Sequence, residues 1–204
     1  LGLVGSEMCI RDRFNVVQIP NAIDLNLIPK KSTKQFKNQL IFAGRLSKEK
    51  GIDVLLDTAK CLPPEYNLLI LGTGPEEEKI RNISNSKANV HYLGYQSKQN
   101  TISLIRGSDL LIQPSIMEGI SSTILEAMGC ETCIIASNVG GTPELIENNK
   151  TGVLVEPNNT EELVEKISYL LMENEKRSTM AANGLKAVVK YDWNQIGKLY
   201  LDIY

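Results

Sequence analysis

Six short apolar runs alternate with amphipathic stretches along this chain. Gln39–Ala43, Tyr66–Leu71, Val90–Gly94, Asp109–Gln113, Cys133–Ala136 and Gly152–Val155 are short and apolar, several of them stopped by glycine or proline, so they read as strands. A shorter strand-like run, Val16 to Ile19, stops at Pro20. Between the strands the period changes. Ile52, Leu55, Leu56 and Ala59 recur at helical spacing, and Ile102, Leu104 and Ile105 mark another helix. Pro75 suits the first position of a helix whose first turn carries Glu76, Glu77 and Glu78. Glu161 to Met172 lines Leu163, Val164, Ile167, Leu170 and Leu171 along one face. Residues 175–190 form a further helix, and Trp193 anchors a last one ending in Tyr204. Strands alternating with helices predict an α/β fold with a doubly wound parallel sheet.

Composition narrows the function classes. The chain has 204 residues, 42% hydrophobic and 23% charged, enough for one good-sized core. A net charge of −2 gives no electrostatic footprint for nucleic acid. No apolar run approaches the length of a membrane span. Four cysteines without a regular framework argue against a secreted disulfide scaffold. Cys130-Glu-Thr-Cys133 is a CxxC, but there is no second one to complete a zinc site. It also ends a helix rather than preceding one, so two packing thiols are expected. His91 is the single histidine and has no evident partner residues, so a structural or surface role is expected.

The chemistry concentrates between Gln113 and Cys130. A buried strand leads into Pro114 and Gly119, which force a loop. Ser121, Ser122 and Thr123 are helix-entry residues whose hydroxyls can accept from orphan N–H groups. Ile124, Leu125 and Met128 then supply an apolar helix face. A helix N-terminus with bare N–H groups is an anion site, above all for phosphate. Glu118 and Glu126 frame that entry with seven residues between them. Carboxylates repel phosphate but pair strongly with sugar hydroxyls; a solvated loop acid and an acid favoured by the helix dipole would explain the same spacing. The loop after the first strand, Gly44-Arg45-Leu-Ser-Lys-Glu-Lys50-Gly51, offers a rigid guanidinium fork and mobile ammonium groups. Gly72-Thr-Gly74 after the second strand lacks the third glycine of a dinucleotide fingerprint. Tyr95 and Gln96 follow the third strand.

These residues resemble a family. Pro-Ser-x-x-Glu-Gly-Ile-x-x-Thr-Ile-Leu-Glu-Ala-Met, with its Glu-x7-Glu, is similar to the donor-site signature of retaining glycosyltransferases of family 4, which have the GT-B fold. Gly-Arg-Leu-x-x-x-Lys-Gly and Gly140-Gly-Thr-Pro-Glu144 match two more of its elements, and the resemblance covers nearly all of Phe14 to Tyr204. It implies the Rossmann-like C-terminal half of such an enzyme, which moves a sugar from a nucleotide-diphosphate donor to an acceptor in polysaccharide or glycan assembly. Arg45 and Lys50 are then expected to neutralise the diphosphate together with the N–H groups near Gly119, Ile120, Ser121, Ser122 and Thr123. Glu118 is expected to hold the donor sugar and Glu126 the ribose. Gly44, Gly72 and Gly74 would let the backbone pass close to the nucleotide, and the chain at Tyr95 and Gln96 would meet the base. The implied donor is a UDP- or GDP-sugar, with no metal and no other cofactor. Three positions depart from the pattern: Ala22 and Glu131 replace glycines, and Cys133 replaces a proline.

The resemblance also divides the chain. Val4 to Arg13 is similar to sequencing-adapter read-through, so residues 1–13 are expected to be a non-native leader on a longer natural protein. Residues 14–38 then form a linker and loop, 39–190 the donor domain, and 191–204 a helix that packs on an N-terminal acceptor domain. The acceptor, a glycan or a lipid-linked glycan, would bind that other domain. A cytoplasmic setting is expected, with peripheral membrane contact open to the full-length protein. Two alternatives stand beside this reading: a nucleotide-sugar epimerase of GT-B fold, and a nucleotide-binding module without turnover.

Overall fold

The computed structural model describes residues 19–201. The leader at 1–13, most of the strand-like run at Val16 and the final residues 202–204 lie outside them. Six parallel strands form one sheet: β1 Gln39–Ala43, β2 Asn67–Leu71, β3 Val90–Gly94, β4 Leu110–Gln113, β5 Cys133–Ser137 and β6 Val153–Val155. Their order is β3-β2-β1-β4-β5-β6. This is the Rossmann-like α/β arrangement expected from the alternation of short apolar runs and helices.

The helices follow the strands: α1 Ile52–Cys61, α2 Glu77–Ser86, α3 Lys98–Arg106, α4 Ser122–Gly129, α5 Thr142–Leu145, α6 Thr160–Met172, α7 Asn174–Val188 and α8 Trp193–Leu201. Because strand side chains alternate faces, β1 splits its residues between two cores. Leu40 and Phe42 pack with Ile52 and Leu55 of α1 and Leu163 and Ile167 of α6. Ile41 and Ala43 pack with Ile102 and Ile105 of α3 and Ile124 and Met128 of α4. Both faces are covered, which is why β1, β4 and β5 are buried along their whole lengths.

Several local outcomes refine the sequence reading. Pro75 sits in a turn, and α2 starts two residues later at Glu77. His91 stacks on Phe36 with ring centroids 4.1 Å apart and shares a 3.2 Å hydrogen bond with Asn67. Burial lowers its pKa. Cys130 and Cys133 are buried, and desolvation pushes both thiols up to about 12, the behaviour of inert packing groups.

The segment before β1 is pinned to the end of the chain. Ile23 N–H donates to Tyr191 O, and Trp193 N–H donates to Ile23 O, both at 2.9 Å. Asp192 Oδ2 accepts from Leu25 N–H at 3.2 Å. Ala22 keeps a negative φ, so this turn forms without the glycine that the resemblance led one to expect. Helix α8 buries Ile196 and leaves Trp193, Leu199 and Leu201 exposed.

Candidate functional site

The strand order reverses its direction of growth between β1 and β4, and in open α/β sheets the loops at the carboxyl ends of the strands frame a ligand crevice at such a point. The loop after β1 touches the loop after β4. Ile116 and Met117 N–H groups both donate to Glu49 O, at 2.8 and 3.2 Å. Gly51 makes that approach possible. It has φ +70°, and a Cβ there would lie 1.8 Å from Pro114 O. On the other side the loop after β5 backs the loop after β4. Gly140 has φ +50°, and a Cβ on it would lie 1.8 Å from Glu118 O. Gly141 N–H donates to that same oxygen at 3.3 Å.

These contacts carry Lys50 and Glu118 together. Lys50 Nζ donates to Oε1 and to Oε2 of Glu118, each at 2.8 Å. The carboxylate side chain is 8% exposed and the lysine 26%. Oε2 also accepts from Ser115 Oγ at 3.0 Å and from Gln113 Nε2 at 3.3 Å. Arg45, on the same loop as Lys50, is exposed. Its charge and that of Lys50 help hold the Glu49 carboxyl low, after the larger effects of the Ser47 hydroxyl and the Glu49 N–H.

Helix α4 points its N-terminus at the crevice. Ser121 is the N-cap residue, but its hydroxyl makes no capping bond. The expectation of hydroxyl capping by Ser121 therefore gives way to a first turn whose N–H groups have no side-chain cap among the described residues. Thr123 Oγ1 instead donates to Ala43 O at 3.4 Å, tying the helix start to the end of β1. Ile120 O accepts from Asn21 Nδ2 at 2.6 Å. Gly119 and Ser122 are exposed.

Glu126 does not join Glu118. It lies about one turn inside α4 and faces a 150 Å³ cavity lined by Ala22, Lys98, Ser122 and Trp193, among others. Its carboxylate is 14% exposed and stands 3.4 Å from Lys98 Nζ. Burial raises its pKa, and Lys98 offsets part of that.

The other expected residues line the β1–β2–β3 side. Gly44 N–H donates to Leu71 O at 3.1 Å, and Gly72 N–H donates to Gly94 O at 2.8 Å. Gly74 lies where the loop after β2 meets Leu46, whose N–H donates to Thr73 O and whose carbonyl accepts from Glu76 N–H, both at 2.9 Å. Tyr95 is 77% exposed beyond β3. The Gln96 side chain donates to Leu93 O at 2.6 Å and accepts from Asn100. Four contributors escaped the sequence reading: Gln113, Ser115, Lys98 and Asn21. A polar residue closing an otherwise apolar strand was the available signal for Gln113.

Arginine, lysine, helix N–H groups and a carboxylate at one crevice suit a ligand that joins an anionic part to a hydroxylated part. Comparison with known proteins gives the family. Residues 25–187 match the family described as glycosyl transferases group 1. An uncharacterised glycosyltransferase of Methanocaldococcus jannaschii is 32% identical over 157 residues, 76% of this chain and 44% of its own length. The N,N'-diacetylbacillosaminyl-diphospho-undecaprenol alpha-1,3-N-acetylgalactosaminyltransferase of Campylobacter jejuni is also 32% identical over 157 residues, 76% of this chain and 41% of its own length. The chain thus spans under half the length of these relatives. Among solved structures, Anabaena Alr3699/HepE in complex with UDP-glucose superposes with TM-score 0.80 at 24% identity, over 91% of this chain and 56% of that one. The C-terminal domain of the Francisella tularensis glycosyl transferase group 1 protein LpcC superposes with TM-score 0.70 at 24% identity, over 83% of this chain and 98% of that one. The chain belongs to the glycosyl transferases group 1 family, and the crevice between β1 and β4 lies within the matched residues.

Proposed function

We propose that this chain is the donor-binding half of a retaining hexosyltransferase of the GT-B type. It takes a UDP- or GDP-sugar and delivers the sugar to a glycan or lipid-linked acceptor held by the rest of the full-length protein. The observation that carries this reading is the contact of Lys50 with Glu118, which joins the basic loop after β1 to the acidic loop that leads into α4.

The chemistry follows from charge. As the bond between the sugar's anomeric carbon and the phosphate oxygen breaks, its electron pair passes to the leaving diphosphate. Arg45, Lys50 and the N–H groups near Ile120 to Thr123 stabilise that growing charge, which is electrostatic catalysis by fixed donors. Basic side chains and helix N–H groups supply the neutralisation, so the mechanism calls for no metal ion. Glu118 accepts from the donor sugar's hydroxyls and Glu126 from the ribose. The backbone at Tyr95 and Gln96 faces the base, and Gly44, Gly72 and Gly74 keep side chains out of the nucleotide's path. An acceptor hydroxyl then attacks from the face the diphosphate leaves, its oxygen bonding to the anomeric carbon while its proton passes to the leaving phosphate oxygen, which gives retention.

Calorimetric titration of the chain with UDP, GDP and ADP tests this, with Arg45→Ala and Glu126→Ala alongside. Saturable binding of one nucleotide, weakened in both variants, is the expected result. A folded chain that binds none of the three refutes the reading. Transfer by the chain alone is expected to be slow, because the acceptor is assigned to the remainder of the protein.

A further inference from the structure

We infer that Gln113 is a positioning residue for Glu118, acting with Ser115, and that together they free one carboxylate oxygen for the donor sugar. The inference rests on the donor-site reading above. Its basis is an asymmetry in the Glu118 carboxylate. Oε2 accepts three hydrogen bonds, from Lys50 Nζ at 2.8 Å, Ser115 Oγ at 3.0 Å and Gln113 Nε2 at 3.3 Å. Oε1 accepts from Lys50 Nζ alone among the described residues.

Lys50 is therefore shared between two duties. While it faces Glu118 it neutralises the carboxylate; when a diphosphate occupies the crevice it is drawn toward the phosphate oxygens, where the charge is larger. At that moment Oε1 loses its donor and becomes an acceptor for a ligand hydroxyl. Oε2 keeps two donors from its own strand and loop, so the carboxylate stays where Lys50 left it. Without them Glu118 would follow Lys50 or turn toward water. Preorganisation of this kind lowers the ordering cost at the moment of binding.

Gln113 is built for this one task at a local cost. Its side chain is 2% exposed at the end of β4. Its Nε2 also donates to Ser115 Oγ at 3.0 Å. Its Oε1 is buried with no hydrogen-bond partner among the described residues. A buried unpaired carbonyl destabilises a fold. Every neighbouring strand ends on an apolar or small residue, and a leucine here would bury more apolar area without that loss. The amide is thus explained by what its NH2 group holds rather than by packing.

The test is a binding split. The chain, Gln113→Met and Ser115→Ala are titrated with UDP against UDP-glucose and with GDP against GDP-mannose, and their melting temperatures are measured. Gln113→Met keeps side-chain length and removes both the donor and the orphan carbonyl. It is expected to melt at or above the wild-type temperature and to bind the bare nucleotide within twofold of wild type. Its affinity for the nucleotide sugar should fall about tenfold. Ser115→Ala should show the same split, and Gln113→Glu, which puts a second carboxylate beside the first, a larger one. Equal loss of nucleotide and nucleotide-sugar affinity in the variants overturns the positioning role. So does an unchanged split, or a wild-type chain in which neither sugar adds affinity to its nucleotide. A wild-type chain that binds no nucleotide overturns the donor-site reading itself, a result told apart by the bare-nucleotide arms.

Discussion

Lys50 Nζ bridges both carboxylate oxygens of Glu118 at 2.8 Å, from a loop after β1 to a loop after β4, sixty-eight positions along the chain. The two strands are neighbours in the sheet only because its growth reverses between them. The pair is thus a product of topology. Lys50→Ala should remove the positive charge nearest the crevice and leave Glu118 with Ser115 and Gln113 alone. Nucleoside diphosphate affinity is expected to fall about ten- to a hundredfold. Stability should fall by about 1–3 kcal/mol, the scale of charge-assisted hydrogen bonds. Calorimetric titration and a denaturant melt on one preparation measure both.

The glycines at the loop crossings are a separate matter from charge. At Gly140, φ is +50° and an added Cβ would lie 1.8 Å from Glu118 O. Gly140→Ala therefore pays the left-handed backbone cost of about 1–2 kcal/mol and must also push the Glu118 backbone away. A loss of more than about 2 kcal/mol in stability is expected, together with weaker binding. Gly119→Ala provides the contrast, since a Cβ there meets nothing within 4 Å. Similar melting curves for the two variants would refute the loop-packing argument.

The strands were legible because each is a short apolar run buried on both faces, and β1, β4 and β5 show that burial in full. The crevice was legible through its loop chemistry: Arg45 and Lys50 follow one strand, Glu118 and the start of α4 another. What the chain did not disclose were partnerships across loops. Lys50 with Glu118, Lys98 with Glu126, and Gln113 with Ser115 and Glu118 depend on which strands lie side by side and which way a side chain turns. Periodicity carries no term for either. The two glutamates frame one helix entry in the sequence, yet one pairs with Lys50 from the loop after β1 and the other lines a small cavity with Lys98 and Trp193.

Glu131 turns a departure noted in the sequence into a measurable strain. It has φ +57°, in the turn between α4 and β5. A glycine stands here in the family pattern, and glycine adopts this conformation without a Cβ penalty. Glu131→Gly should relieve about 1–2 kcal/mol of left-handed strain and give back part of it as unfolded-chain entropy. A net gain of about 0.5–1 kcal/mol, or roughly 1–4 °C in Tm for a chain of this size, is expected. The residue is exposed and away from the crevice, so nucleotide binding should not change. A thermal melt of the variant that is flat or lower would show that the side chain earns its place by another contact.

Glu126 should leave a signature in the pH dependence of stability. Burial raises its folded-state pKa above the usual 4.5, and the nearby Lys98, itself largely exposed, offsets only part of this. Between the unfolded and folded values the native state binds more protons than the unfolded chain. Stability from this group therefore falls as pH rises through that window, and above the folded value the full penalty of a buried carboxylate is present. Glu126→Gln removes the titration while keeping the shape. The variant should be as stable as or slightly less stable than wild type below about pH 4.5, and relatively more stable once Glu126 ionises. On the proposed donor-site reading it should also bind nucleotide more weakly at neutral pH, since an amide is a poorer acceptor for a ribose hydroxyl than a carboxylate. Gain of stability with loss of binding in one variant is the pattern of a group kept for its ligand. Parallel melting profiles of the two proteins from pH 4 to pH 8 would show instead that Lys98 cancels the burial, and that Glu126 sits in its cavity at no cost.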